Sequence, residues 1–207
     1  MLKLLGCDEA GLGAAAGDLV CAGCALPDDI VERLGDDARF LRDSKTLSLK
    51  QREKMAAIIR AHALFWKVEV VSVADINKHG IRWANLDGLR RIIESVEAEE
   101  YIVDGVLPPQ RISRVRAKRI RSLPKADATV ASVSAASILA KVTRDRLLAE
   151  VHASCPHCRA MGFDRNAGYL SPAHLEALDR LGPCLQHHRR VYVATALAKR
   201  RSSSATT

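Results

Sequence analysis

Aromatic side chains are scarce in this chain, at 4% of residues. A core therefore has to be built from Ala, Val, Leu and Ile, and the 48% apolar content is enough to fill one. No run of about 18 apolar residues occurs, which excludes a membrane-spanning helix. The N-terminus lacks a charged stretch, an apolar stretch and a cleavage site in series, so the expected location is the cytoplasm. No internal repeat is present. The 207 residues suit one large domain, or one domain with a small appendage.

Acids are missing from one stretch in particular. Between residues 111 and 125 stand Arg111, Arg114, Arg116, Lys118, Arg119, Arg121 and Lys125, seven cations in fifteen residues. Such a segment repels itself unless an anion lies nearby, and a phosphate backbone would supply one. The net charge of +8 and pI near 9.4 point the same way, toward a nucleic-acid partner. The plainer alternative is a generally basic surface.

The six cysteines read as free thiols in a cytoplasmic protein. Cys21 and Cys24 sit in the apolar run Leu19 to Leu26 and read as small buried hydrophobes. Cys155-Pro156-His157-Cys158 differs. With Cys184 and His187 it forms a C-x₂-C…C-x₂-H pattern, a spacing that zinc sites use, against the plainer reading of a thiol-bearing loop.

Two apolar strands are expected first, Leu2 to Asp8 and Asp18 to Leu26, joined by a Gly/Ala-rich turn. Ser48 and Gln51 form a capping box for a helix through about His62. Residues 64–73 alternate and are rich in Val, predicting a strand. Residues 81–98 place Trp83, Leu86, Leu89, Ile93 and Val96 largely on one face, predicting a helix. Glu100 to Val103 is a short strand ending at Asp104-Gly105, and the cationic segment reads as a strand with loops. Asp127 is placed to cap a long helix over about 128–153. The density of Ala and Ser in that helix's first half permits close approach of another backbone. Ser171-Pro172 opens a helix through Leu181, and a last helix spans about 189–199. Strands mixed with helices, then helices only, argue for an α/β sheet with a helical C-terminal part. The expected layout is a catalytic domain over 1–153, a helical extension over 154–199 and a disordered tail over 200–207.

The run Gly6-Cys7-Asp8-Glu9-Ala10-Gly11-Leu12-Gly13 is the most telling. Two adjacent acids deep in a strand are costly without a cation. At a strand end, before a glycine turn, they can offer oxygens to a hard divalent metal. Asp104 ends a later strand and Asp127 opens a helix, and ligands of α/β sheets gather at such places. Each acid alone has a bland alternative: a solvated turn for Asp8-Glu9, a β-turn for Asp104, an N-cap for Asp127. Together, the four make a cluster that cannot stay fully ionised without cations. Asp43 and Asp145 are further acids that could substitute for one of them.

These motifs resemble ribonuclease HII. The resemblance rests on Asp8-Glu9-Ala10-Gly11 with Gly13 and Gly17, Asp43-Ser44-Lys45 with Leu47-Ser48 and Arg52-Glu53, Val103-Asp104-Gly105 and Lys125-Ala126-Asp127. It continues through residues 135–145, Gly168-Tyr169, His174, Gly182-Pro183 and His188-Arg189, and covers about residues 3 to 192. It implies the ribonuclease H fold, a mixed sheet flanked by helices with a C-terminal helical region. The implied substrates are RNA–DNA hybrids and DNA duplexes carrying embedded ribonucleotides. The implied cofactor is Mg²⁺ or Mn²⁺ in a two-metal hydrolysis leaving 5′-phosphate and 3′-hydroxyl ends. Asp8, Glu9, Asp104 and Asp127 would be the metal ligands. Gly11, Leu12 and Gly13 would sense the 2′-hydroxyl at the RNA–DNA junction, and Tyr169 would stack on the neighbouring sugar. Lys45 would contact phosphate. Lys141 and Arg144 would touch the backbone, with an Arg144–Asp145 ion pair as the alternative for the latter. A monomer is expected.

The chain departs from the family at Leu12, where Gly-Arg-Gly is usual, and at Ala14-Ala15-Ala16-Gly17-Asp18, where prolines are favoured. The lost Arg would remove a charge-assisted hydrogen bond, about 1.5–3 kcal/mol, and alter junction preference. Cys184 and His188 stand where the family has ordinary loop residues, which counts against zinc. Two competing readings are a hybrid-binding paralogue with weakened catalysis and a zinc-stabilised nucleic-acid-binding module.

Overall fold

The computed structural model describes residues 1–42 and 47–204. In chain order it contains β1 (Leu2–Ala10), β2 (Leu19–Ala25), α1 (Ile30–Leu34), α2 (Arg39–Arg42), α3 (Leu49–His62), β3 (Phe65–Val71), α4 (Val73–His79) and α5 (Ile81–Ile93). Then come β4 (Ala98–Asp104), α6 (Pro109–Ile112), β5 (Ile120–Leu123), α7 (Ala131–Ser154), α8 (Pro156–Ala160), α9 (Phe163–Asn166), α10 (Pro172–Leu181) and α11 (Arg190–Ser204). The strands form one mixed sheet in the order β3-β2-β1-β4-β5. β1 pairs antiparallel with β2 and parallel with β4, and β4 pairs parallel with β5. The expected α/β architecture, with nothing but helices after the last strand, is the one observed.

The chain divides into two compact units, interleaved in sequence. One comprises Met1–Ala10, Val20–Val70 and Asn85–Thr143; the other comprises Gly11–Leu19, Val71–Ala84 and Arg144–Thr207. The last boundary between the units falls within α7, between Thr143 and Arg144.

In the first unit, two glycines set how closely helices approach the sheet. Gly6 lies opposite Cys24, and a Cβ on it would meet the Val133 nitrogen at 2.3 Å. Gly23 lies opposite Cys7, and a Cβ on it would meet Ile92 Cγ2 at 2.3 Å. Neighbouring strand positions face opposite ways, so α7 covers one face of the sheet and α5 the other. Close approach at Gly6 uses the small residues that begin α7, with Ser132, Ser134, Ala135 and Ala136 all buried.

Several boundaries move for local reasons. The strand expected over 64–73 ends at Val71 because Ser72 caps a helix, α4, that the sequence reading did not contain. The Ser72 hydroxyl accepts the Asp75 N–H at 3.1 Å, and Gly80, at φ 88°, ends the helix. α5 stops at Ile93 rather than 98: the Tyr101 hydroxyl accepts the Ala98 N–H and donates to the Val96 carbonyl, and Ala98 already pairs with Leu2 in the sheet. α7 begins at Ala131, because residues 126–128 form a separate 3₁₀ turn entered through Lys125 in the left-handed region, φ 59°. α11 runs through Ser204, so residues 200–204, expected to be disordered, are helical; residues 205–207 lie outside the described residues.

Candidate active site

Asp8 and Glu9 lie in β1 two and three residues beyond the glycine that admits α7. Asp104 is the last residue of β4, which pairs directly with β1. Asp127 sits in the turn before α7. Parallel pairing puts the C-terminal ends of β1 and β4 side by side, so the acids on them come together. Asp104 holds the turn that carries Asp127: its Oδ1 accepts the Ala126 N–H at 2.6 Å. Asp127 is buried and is not a helix cap.

The cluster is electrostatically strained without a cation. Asp8 is 6% exposed, and burial pushes its carboxyl up to about 7. Hydrogen bonds from Ser137 and the Glu9 N–H oppose that shift, while the charges of Asp104 and Asp127 add to it. Glu9 is pushed up to about 8, by burial first and then by the charges of Asp8 and Asp104. Its Oε2 is buried with no hydrogen-bond partner among the described residues. Asp127 also lines a cavity of about 300 Å³ with Val31, Ala38 and Leu41. A carboxylate oxygen with no partner among the described residues, two acids whose pKa values burial raises to about 7 and about 8, and an all-oxygen donor set fit a hard divalent cation such as Mg²⁺ or Mn²⁺.

The second unit carries the glycine loop. Gly11, at φ 94°, packs against Arg144, whose Nε would lie 2.0 Å from a Cβ there. Leu12 is 39% exposed, and Gly13 has open space where a side chain would stand. Ala15 and Ala16 donate their N–H groups to the Gly168 carbonyl at 2.9 and 3.1 Å, tying this loop to the one that carries Tyr169. Tyr169 is 43% exposed, with the Arg144 guanidinium 5.4 Å from its ring centroid.

Arg144, expected either to touch the nucleic-acid backbone or to pair with Asp145, is 1% exposed. Its guanidinium donates to the carbonyls of Ala16, Ala167 and Asp18, so it braces the loop from beneath. Burial lowers its pKa. Lys141 is half-buried on the α7 segment of the first unit, and Lys45 lies outside the described residues, as does Asp43.

The cationic segment also differs from expectation. Arg116 and Arg119 pair with Glu97 at 2.7 and 3.0 Å, and Arg121 pairs with Glu100 at 2.8 Å. Much of its self-repulsion is therefore relieved by acids of and just before β4, rather than by an outside anion. Arg111, Arg114, Lys118 and Lys125 remain exposed.

Two contributors were not assigned roles from sequence. Ser137 donates to Asp8 from the interior of α7, and nothing in a Ser within an Ala-rich helix marks that role. Arg189 is 1% exposed and donates to the carbonyls of Gly11, Leu12, Ala14 and Gly17. Its only signal was its place in the His188-Arg189 motif. Burial, then the Arg144 charge, brings its pKa down to about 10.

A mixed sheet with acids at the ends of two adjacent parallel strands and a third element's Asp beside them is the arrangement of a ribonuclease H-type fold. The ribonuclease HII family model matches residues 5–195, and the chain belongs to the ribonuclease HII family. A ribonuclease HII from Mycolicibacterium smegmatis is 39% identical over 88% of this chain and 63% of its own length, so the chain spans a little under two thirds of that relative. One from Mycobacterium avium is 40% identical over 88% of this chain and 75% of its own. The crystal structure of ribonuclease H2 from Pyrococcus horikoshii superposes with a TM-score of 0.73 at 26% identity, covering 97% of this chain and 99% of that one.

Proposed function

We propose that this chain is a divalent-metal-dependent endoribonuclease. It cleaves the RNA strand of RNA–DNA hybrids, and cleaves at ribonucleotides embedded in duplex DNA, leaving 5′-phosphate and 3′-hydroxyl ends. The observation that carries the reading is the meeting of Asp8, Glu9, Asp104 and Asp127 from three distant segments, with Glu9 Oε2 orphaned. Membership of the ribonuclease HII family supports ribonuclease H activity on RNA–DNA hybrids.

Asp8, Glu9, Asp104 and Asp127 would hold Mg²⁺ or Mn²⁺. Bound there, such ions neutralise charge on the phosphoryl oxygens and lower the pKa of a coordinated water. Ser137 orients Asp8, and Asp104 fixes the backbone that presents Asp127. Asp8 and Glu9 would hold a cation as carboxylates, so metal affinity would rise with pH through about 7 to 8. The backbone of Gly11, Leu12 and Gly13 reads the 2′-hydroxyl, the group that separates RNA from DNA at a given sugar. The exposed Tyr169 ring stacks on the adjoining sugar. Among the described residues no helix is long and apolar enough to cross a membrane.

The competing reading, a hybrid-binding paralogue with weakened catalysis, draws on Leu12 alone. The complete carboxylate set counts against it. The test is cleavage of a long RNA–DNA hybrid, a single-ribonucleotide duplex and plain DNA at low salt with Mg²⁺ or Mn²⁺. Asp104→Asn serves as the control and is expected to lose at least about a hundredfold in rate, as loss of a charge-stabilising group does. Absence of cutting on both ribonucleotide substrates refutes the enzyme reading.

A further inference from the structure

The second unit brings together a side-chain cluster far from the acids in sequence. Cys155, Cys158, Cys184 and His187 each place a ligand atom within 4.8 Å of the other three. Cys155 Sγ and Cys184 Sγ lie 4.0 Å apart. Two Zn–S bonds of about 2.3 Å at a tetrahedral angle put sulfurs about 3.8 Å apart. A disulfide would require about 2.05 Å, and all three thiols are free.

We infer that these four residues form a structural Zn²⁺ site, distinct from the carboxylate cluster, that braces the loops carrying the glycine turn and Tyr169. The donor set is three soft thiolates and an imidazole, a closed tetrahedral set for zinc and a poor one for Mg²⁺. Both ligand pairs have tight spacing, C-x₂-C and C-x₂-H. Zn²⁺ would take the cysteines as thiolates, releasing their protons to solvent. Supporting hydrogen bonds are already in place: the Cys158 N–H donates to Cys155 Sγ at 3.4 Å, and the His187 N–H donates to the Cys184 carbonyl at 3.2 Å.

From this cluster two connections run to the loops. The His187 carbonyl accepts the Gly17 N–H at 2.8 Å, and the Arg189 N–H two residues on donates to the Ala15 carbonyl at 2.7 Å. The other runs through buried histidines. His188 Nδ1 lies 3.0 Å from the Cys184 nitrogen and 3.2 Å from the Cys184 carbonyl; because His174 Nδ1 donates to a carbonyl, His174 Nε2 accepts, and the proton facing it is on His188 Nε2. That nitrogen meets His174 Nε2 at 3.1 Å, and His174 Nδ1 donates to the Tyr169 carbonyl at 2.8 Å. Fixing Cys184 and His187 on one ion therefore fixes Gly17 and Tyr169 through short hydrogen bonds. The apolar cluster here includes Cys158 itself, with Cys155 and Cys184 packed against it.

The relevance to substrate rests on the proposed function; the metal site does not. The test is metal analysis of the full chain purified under reducing conditions without chelators. Stoichiometric zinc is expected, retained in Asp104→Asn and in His187→Cys, and lost in Cys184→Ser. Adding Co²⁺ to the reduced, zinc-stripped protein should give thiolate-to-metal absorption that Cys184→Ser lacks. Proteolysis within residues 11–17 and near Tyr169 should speed up at least tenfold on zinc removal and slow again on re-addition. A zinc-free protein that also gives no Co²⁺–thiolate absorption overturns the site, as does a Cys155–Cys184 disulfide in the zinc-free chain. Unchanged proteolysis on zinc removal overturns the bracing role. None of these readouts depends on nuclease activity, so a zinc-loaded protein that cuts nothing would refute the nuclease alone.

Discussion

Replacing Glu9 with Gln should make the metal-free protein more stable at alkaline pH and leave it unchanged at acid pH. The folded chain holds the Glu9 proton up to about 8, against an ordinary value of 4.5. Between those values the folded state binds a proton that the unfolded state has released. The resulting stability is fully present below about 4.5 and is lost as pH rises through about 8. At about 1.4 kcal/mol per pH unit, the difference corresponds to on the order of 4–5 kcal/mol for holding Glu9 ionised. Asp8 titrates with it, so the two are not summed. Water entry and relaxation at a buried acid reduce the figure to about 2 kcal/mol. For a chain of this size that is roughly 4–8 °C in Tm. Thermal melts of wild type and Glu9→Gln, dialysed free of Mg²⁺ and Mn²⁺, should coincide near pH 5 and separate by that amount near pH 9. Millimolar Mg²⁺ should raise the wild-type Tm at pH 9 and raise the variant's less. If the two melting curves track each other from pH 5 to 9, the burial argument for Glu9 is wrong, and with it the physical case for a cation there.

Two further outcomes can be checked. Gly6→Ala should cost about 1–3 kcal/mol in denaturant unfolding, as overpacking does, because its Cβ would overlap backbone atoms of Ser132 and Val133 at 2.3–2.4 Å; it should also slow cleavage by displacing Ser137 from Asp8, and unchanged stability would show that α7 can move away freely. Leu12→Arg should tighten binding to a single-ribonucleotide duplex by about 1.5–3 kcal/mol, the range for a charge-assisted hydrogen bond, since position 12 is exposed and its neighbour Gly13 leaves open space; equal binding and cutting by both proteins would make the missing Arg immaterial.

Amino-acid order alone determined the strands, the long Ala-rich helix and the placing of Asp8, Glu9 and Asp104 near strand ends, whereas Asp127 lies in a 3₁₀ turn before the long helix rather than at its cap. These are local matters: alternation, a Ser-x-x-Gln cap, Asp-Gly after an apolar run. It did not show which partners buried charges would find. Arg144 reads from sequence as a backbone contact or as a partner of Asp145, whereas the carbonyls it donates to, at Ala16 and Ala167, are distant in sequence and visible only in the fold. The cations of 111–125 looked like a self-repelling stripe, yet parallel pairing of β5 with β4 sets Arg121 within reach of Glu100. The pattern C-x₂-C…C-x₂-H was visible as spacing, but a quartet exists only because folding returns Cys184 and His187 to Cys155 and Cys158. Asp8 and Glu9 show the division most clearly. Sequence placed them at a strand end; the tertiary structure buried them beside Asp104 and Asp127, and burial is what raises the pKa values of two ordinary acids to about 7 and about 8.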